Sequence, residues 1–156
     1  MEIELLERQS SELRKDIVEV CYHSKAGHVG GSLSAIDILN VLYFNELRID
    51  PNNPKMENRD RFILSKGHIA EALYVTLAKR GFFAYSELDN FSGYNTKYIG
   101  HPNNKVAGVE MNTGALGHGL AIGVGLAIAA KKMGQDYRTY VLMGDGELAA
   151  SPFSSP

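Results

Sequence analysis

Arg61-Phe62-Ile63-Leu64-Ser65-Lys66-Gly67-His68 and Thr139-Tyr140-Val141-Leu142-Met143-Gly144-Asp145-Gly146 decide the fold. Each begins as a short apolar run of the buried-strand type and breaks at once into polar, glycine-bearing sequence. Between and before them the spacing is helical. Leu6, Leu13, Ile17, Val20 and Cys21 recur at helical intervals, which predicts an amphipathic helix over residues 3–24. Gly27, Gly30 and Gly31 interrupt the pattern, and Ser32 or Ser34 is the expected cap of a second helix running to residue 46, apolar nearly all round and therefore buried. Residues 50–58 read as a polar loop. A helix is expected over 69–80 with Gly81 as its stop. Ser86-Glu87-Leu88-Asp89 matches the capping-box pattern of a short helix. Residues 94–112 form a long irregular connection, and residues 117–133, rich in Gly, Ala, Leu and Ile, form a thin helix suited to close approach by a sheet or a second protomer.

Helix, strand, helix, loop, helix, strand is an α/β order, so the expected fold is a parallel sheet with helices on both faces. Ligands of such sheets sit at the carboxyl ends of the strands. Here those ends are Lys66-Gly67-His68 and Gly144-Asp145-Gly146. No internal repeat is present.

Composition narrows the function classes. In 156 residues, 16 Lys and Arg face 18 Asp and Glu, and without basic runs this argues against nucleic acid as the main partner. The single cysteine, Cys21, gives no internal disulfide and no sign of an oxidising compartment. Met1-Glu2-Ile3-Glu4-Leu5 lacks the basic-then-apolar order of a signal peptide. The greasiest stretch, residues 120–130, falls short of the roughly 20 apolar residues that cross a bilayer. A cytoplasmic globular chain, with no membrane partner, is the expectation.

The chemistry lies in the histidines. Four of the five follow a glycine directly: His28, His68, His101 and His118. With 16 glycines in 156 positions, chance placement gives about half of one such pair. Glycine allows close backbone approach to a ligand, and imidazole moves protons near neutral pH. A shared polar site containing at least two of them is expected. Gly144-Asp145-Gly146 extends to Ala149 as the dinucleotide pattern Gly-x-Gly-x-x-Ala. An Asp in a turn that meets a diphosphate is tolerable when a divalent cation lies between the like charges. A plain surface turn is the alternative.

Five motifs in order carry a resemblance. Gly27-His28-Val29-Gly30-Gly31-Ser32-Leu33-Ser34, Asp60 through His68, Gly100-His101-Pro102, Thr113-Gly114-Ala115-Leu116-Gly117-His118-Gly119 and Gly144-Asp145-Gly146-Glu147-Leu148 resemble the transketolase family. The similar region, residues 5–149, is the N-terminal, diphosphate-binding portion, and the short N-terminus is most like the two-subunit form. The resemblance implies the pyrophosphate-binding (PP-type) module of the thiamine-diphosphate fold. It also implies thiamine diphosphate with Mg²⁺ (or Ca²⁺ or Mn²⁺), and transfer of a two-carbon ketol unit between sugar phosphates in the pentose phosphate pathway. By position, Asp145 binds the metal, while Gly144 and Gly146 approach the diphosphate with Gly146 offering its N–H. Gly114 and Leu116 line the aminopyrimidine side. His28, His68 and His101 surround the thiazolium and the donor hydroxyls, with His68 also a cofactor contact. His118 stands where the family often has glutamine and takes a packing or interface role.

Departures from the family define further expectations. Ala150 replaces an acidic residue, no metal-site asparagine follows, and Phe91-Ser92-Gly93 stands for Phe-Arg-Gln, although Lys97 fits. Residues 1–149 are accordingly read as the N-terminal part of the domain, incomplete at its C-terminus and truncated, with 150–156 an atypical tail. Such a chain supplies part of a half-site, is inactive alone, and needs a C-terminal transketolase subunit or domain in a homo- or hetero-oligomer. Two other readings are a 1-deoxyxylulose-5-phosphate-synthase-like enzyme and a non-catalytic remnant that only binds a partner chain.

Overall fold

A computed structural model of the chain describes residues 2–149. The tail at 150–156, including Ala150, lies outside the described residues. Helix α1 spans Ile3–Ser24, as its periodicity requires, and ends on Lys25 in a left-handed conformation. Its Leu13, Ile17, Val20 and Cys21 form one wall of the core.

Helix α2 spans Val29–Val41, beginning ahead of both serines expected as caps. The hydroxyl of Ser32 donates instead to the buried Glu71 carboxylate at 2.8 Å, and that of Ser34 to the carbonyl of Gly31 at 2.7 Å. With those hydroxyls engaged, no side chain caps α2 and His28 occupies the cap position. Nor is α2 buried all round: Ser32, Ala35, Ile36 and Leu39 face the core, whereas Ile38 and Val41 are 48% and 40% exposed. It runs into a single wide turn, Leu42–Glu46, in which the N–H of Leu47 reaches the carbonyl of Leu42 at 2.7 Å.

Strands β1 (Arg61–Leu64) and β2 (Thr139–Leu142) are parallel and in register from Arg61 opposite Thr139 to Leu64 opposite Leu142. Between them come α3 (Ala70–Arg80), preceded by a 3₁₀ turn at Gly67–Ile69, and α4 (His118–Lys132). Alternation divides the strands. Phe62 and Leu64, with Tyr140 and Leu142, join the core built on α1, α2 and α3. Val141 turns the other way, so close beneath α4 that a Cβ on Gly123 would overlap it, and Ile63 shares that face. Helices therefore cover both faces, as expected for a parallel sheet. Gly81 ends α3 with φ +98° and hydrogen bonds to Leu77 and Ala78.

The capping-box reading at Ser86 fails. Tyr85–Asn90 is a 3₁₀ segment entered from Ala84 without a side-chain cap. Buried Leu88 and Phe91 pin it to the core, and Glu87 turns to the hydroxyl of Tyr98 at 2.7 Å and the ammonium of Lys97 at 3.1 Å. Residues 91–117 follow without helix or strand, with Glu110 paired to Arg59 and Arg61 at the start of β1 and Thr113 bonded at its end. A short helix, α5 (Asp145–Ala149), follows β2.

Candidate active site

Three of the glycine–histidine pairs converge. His28 precedes α2, and His68 lies in the turn after β1. Their rings meet edge to face, with centroids 5.2 Å apart. His101 comes in on the long loop, its ring 3.2 Å from where a Cβ on Gly114 would stand, so an alanine there would crowd the imidazole. The hydroxyl of Tyr74 on α3 anchors the His101 carbonyl at 2.8 Å. Partial burial, then the nearby His28, Lys66 and His101, hold the His68 pKa below the ordinary histidine value. This favours the neutral imidazole, the form able to accept a proton. His118 is exposed, its Nδ1 3.4 Å from the Leu116 carbonyl, and it is not among the charges acting on His68.

Two buried carboxylates, neither legible as site residues from spacing, organise these loops. Glu71 on α3 is fully buried. Its Oε1 accepts the His28 N–H at 2.5 Å and the Ser32 hydroxyl at 2.8 Å, which fixes the Gly27–Ser32 turn from below. Gly27, at φ +120°, passes so close that a Cβ would lie 2.6 Å from the Cys21 sulfur. Burial and the Glu71 charge push the Cys21 thiol up to about 11, which makes it a core residue without nucleophilic character at neutral pH. The second carboxylate is Glu147, 2% exposed, which accepts from Ser65, Gly117 and Gly144. The signal for Glu147 is its place in the Gly-Asp-Gly-Glu motif; Glu71 has none.

The strand ends lie side by side. Ser65 N–H donates to the Leu142 carbonyl at 2.9 Å, and the Lys66 side chain passes 3.7 Å from a Cβ built on Gly144. Gly67 abuts Thr113, whose hydroxyl donates to the Leu64 carbonyl at 2.6 Å, so the Thr113–Gly119 loop is held against β1. Leu116, on that loop, is 42% exposed. Asp145 and Gly146 are exposed, Gly146 has open space where a Cβ would point, and no side chain among the described residues engages the Asp145 carboxylate. This turn fits a diphosphate, with Lys66 nearby as a countercharge. Among the described residues no group of three His, Cys, Asp or Glu could hold a metal. The exposed Asp145 carboxylate could contribute one oxygen to a hard cation such as Mg²⁺.

The chain is similar to a known family. Residues 7–154 match the family described as "Transketolase, thiamine diphosphate binding domain". The chain is 53% identical over 147 residues to an apulose-4-phosphate transketolase subunit of Phocaeicola vulgatus, a match covering 94% of this chain and 52% of that protein. It is 40% identical over 143 residues to a 6-deoxy-6-sulfo-D-fructose transketolase subunit of a Clostridium species, covering 91% of this chain and 52% of the other. The transketolase structure from Campylobacter jejuni superposes with a TM-score of 0.88 at 38% identity, over 95% of this chain and 24% of that one. The chain belongs to the transketolase family, in its thiamine-diphosphate-binding domain. It spans about half the length of the apulose-4-phosphate relatives, 52% in each case. No helix among the described residues is long and apolar enough to cross a membrane.

Proposed function

We propose that this chain forms the diphosphate side of the active site of a two-subunit transketolase. The enzyme transfers a two-carbon ketol unit from a ketose phosphate to an aldose phosphate. The observation that carries this reading is the convergence of His28, His68 and His101 beside the loop that bears Gly114. Asp145 would hold one corner of a Mg²⁺ (or Ca²⁺ or Mn²⁺) shell, and the main chain at Gly144 and Gly146 would approach the diphosphate. Gly114 and Leu116 would line the aminopyrimidine side. Thiamine diphosphate, when bound, supplies the electron sink for breaking and making the carbon–carbon bond.

The protein's own part is proton handling and orientation. His68, its pKa lowered by its surroundings, accepts a proton from a donor hydroxyl, and His101 serves the neighbouring hydroxyl from the opposite loop. His28 packs edge-on against His68 and limits its rotation. The partner is a second transketolase polypeptide, since three relatives are named as single subunits of such enzymes. Apulose 4-phosphate is the first donor to test, because two relatives at 53% and 47% identity carry that substrate in their names. A cytoplasmic setting accords with the single cysteine, Cys21, being buried and free. Residues 1–149 constitute its domain segment.

The test is reconstitution. Residues 1–149 replace the matching segment of the Phocaeicola vulgatus relative, which is combined with its partner polypeptide, thiamine diphosphate and Mg²⁺. Ketol transfer that requires both polypeptides is the expected result. A cofactor-loaded assembly that transfers from no ketose phosphate, or that consumes pyruvate instead, would overturn the reading.

A further inference from the structure

Glu147 is a buried carboxylate with three donors from three separate parts of the chain. Its Oε1 accepts the Ser65 hydroxyl, in a short hydrogen bond, and the Gly117 N–H at 2.7 Å; its Oε2 accepts the Gly144 N–H at 3.0 Å. Among the described residues no lysine or arginine pairs with it, so these hydrogen bonds are what offset the cost of burying its charge. Each donor adjoins a candidate site residue. Ser65 leads into Lys66 and His68, Gly117 separates Leu116 from His118, and Gly144 precedes Asp145.

The surrounding geometry has no slack. Gly117 takes φ +85°, which turns its N–H inward at the start of α4. A Cβ on Gly119 would run into the side chain and Cα of Ser65. The first turn of α4 is thereby pressed onto the end of β1, with the Glu147 carboxylate closing the gap to β2.

We infer that Glu147 is the positioning residue of this site. Its carboxylate clamps the ends of β1 and β2 to the start of α4, fixing the spacing between the His68 turn and the Asp145 turn. The inference rests on the proposed diphosphate role for the importance of that spacing, but the clamp itself is a property of the chain without cofactor. A glutamine at 147 keeps one acceptor oxygen and turns an N–H₂ toward a donor, so at least one of the three hydrogen bonds must break.

Hydrogen exchange on the full chain, with no cofactor added, tests the clamp. In Glu147→Gln, exchange at the Gly144 amide, the Gly117 amide or both should quicken by about tenfold or more, while α1 and α3 exchange as in wild type. Ser65→Ala, a gentler change, should show a smaller effect at Gly117. Acceleration confined to α5, or spread evenly through α1 and α3, would overturn the inference. Calorimetric titration of the assembled enzyme with thiamine diphosphate and Mg²⁺ adds a second readout. Glu147→Gln should weaken binding about tenfold, and wild-type affinity in the variant would count against the positioning role. Failure of the wild type itself to bind cofactor would count against the proposed function, and the exchange pattern would still decide the clamp.

Discussion

The hydroxyl of Tyr74, at the centre of α3, donates a 2.8 Å hydrogen bond to the main-chain carbonyl of His101, 27 residues further along. Burial raises the phenol's pKa, so the donor proton stays in place at all working pH values. The ring is itself held by edge-to-face contacts with Phe91 and Tyr98. Tyr74→Phe retains those contacts and removes the hydroxyl that fixes the His101 loop from below. Loss of about 1 kcal/mol of stability is expected, the usual net worth of such a bond. The denaturant midpoint measures it, and an unchanged midpoint would show that the loop is held elsewhere.

The low pKa of His68 makes stability depend on pH. Burial, then His28, Lys66 and His101, disfavour its charged form in the folded chain, so the unfolded chain binds the proton more readily. Stability is therefore lost as pH falls from the ordinary histidine value near 6.5 toward the lower folded-state value. Above that window His68 is neutral in both states and contributes no pH dependence. Urea titrations between pH 7.5 and 5 should show a steeper decline for wild type than for His68→Gln. Superposable curves would refute this assignment.

Two glycines of α4 should respond in opposite directions to alanine. At Gly123 an added methyl would collide with Val141 of β2, so Gly123→Ala should destabilise by about 1–3 kcal/mol, as overpacking does. At Gly125 a Cβ meets nothing within 4 Å, so Gly125→Ala should stabilise the helix by about 0.5–1 kcal/mol. Thermal melts of the two variants compare them directly. Destabilisation by both would contradict the side of α4 assigned to the sheet.

In the reconstituted enzyme, His68→Ala and His101→Ala should each slow turnover by about 10²–10⁴, the range for acid–base groups. His23 serves as the control. It is exposed on the last turn of α1, against Tyr22 and apart from the three grouped histidines, and His23→Ala should leave the rate unchanged. Equal losses at His23 and His101 would remove the case for a histidine site.

What the sequence reveals is local, and what it hides is long-range. The bounds of α1, the placement of both strands and the stop at Gly81 follow from periodicity and glycine. The strand-end motifs mark the right edge of the sheet. The start of α2 escapes a sequence reading because Ser32 has a cap-like position yet a buried acceptor 39 residues away. Ser86 misleads because the short segment around it is set by Leu88 and Phe91 entering the core. Glu71 resembles any surface glutamate until the fold brings donors to it, and the motif that contains Glu147 does not reveal that its carboxylate is buried. For Glu147 the Ser65 hydroxyl lies 82 positions away in sequence.

The most direct test of the diphosphate site is calorimetric titration of the assembled enzyme with thiamine diphosphate, with and without Mg²⁺, in wild type and Asp145→Ala. Saturable binding that needs Mg²⁺ and weakens at least about a hundredfold in the variant, a loss of roughly 2.7 kcal/mol, is the expected result. Equal binding by Asp145→Ala, or binding indifferent to Mg²⁺, would contradict the placement of the diphosphate at the end of β2.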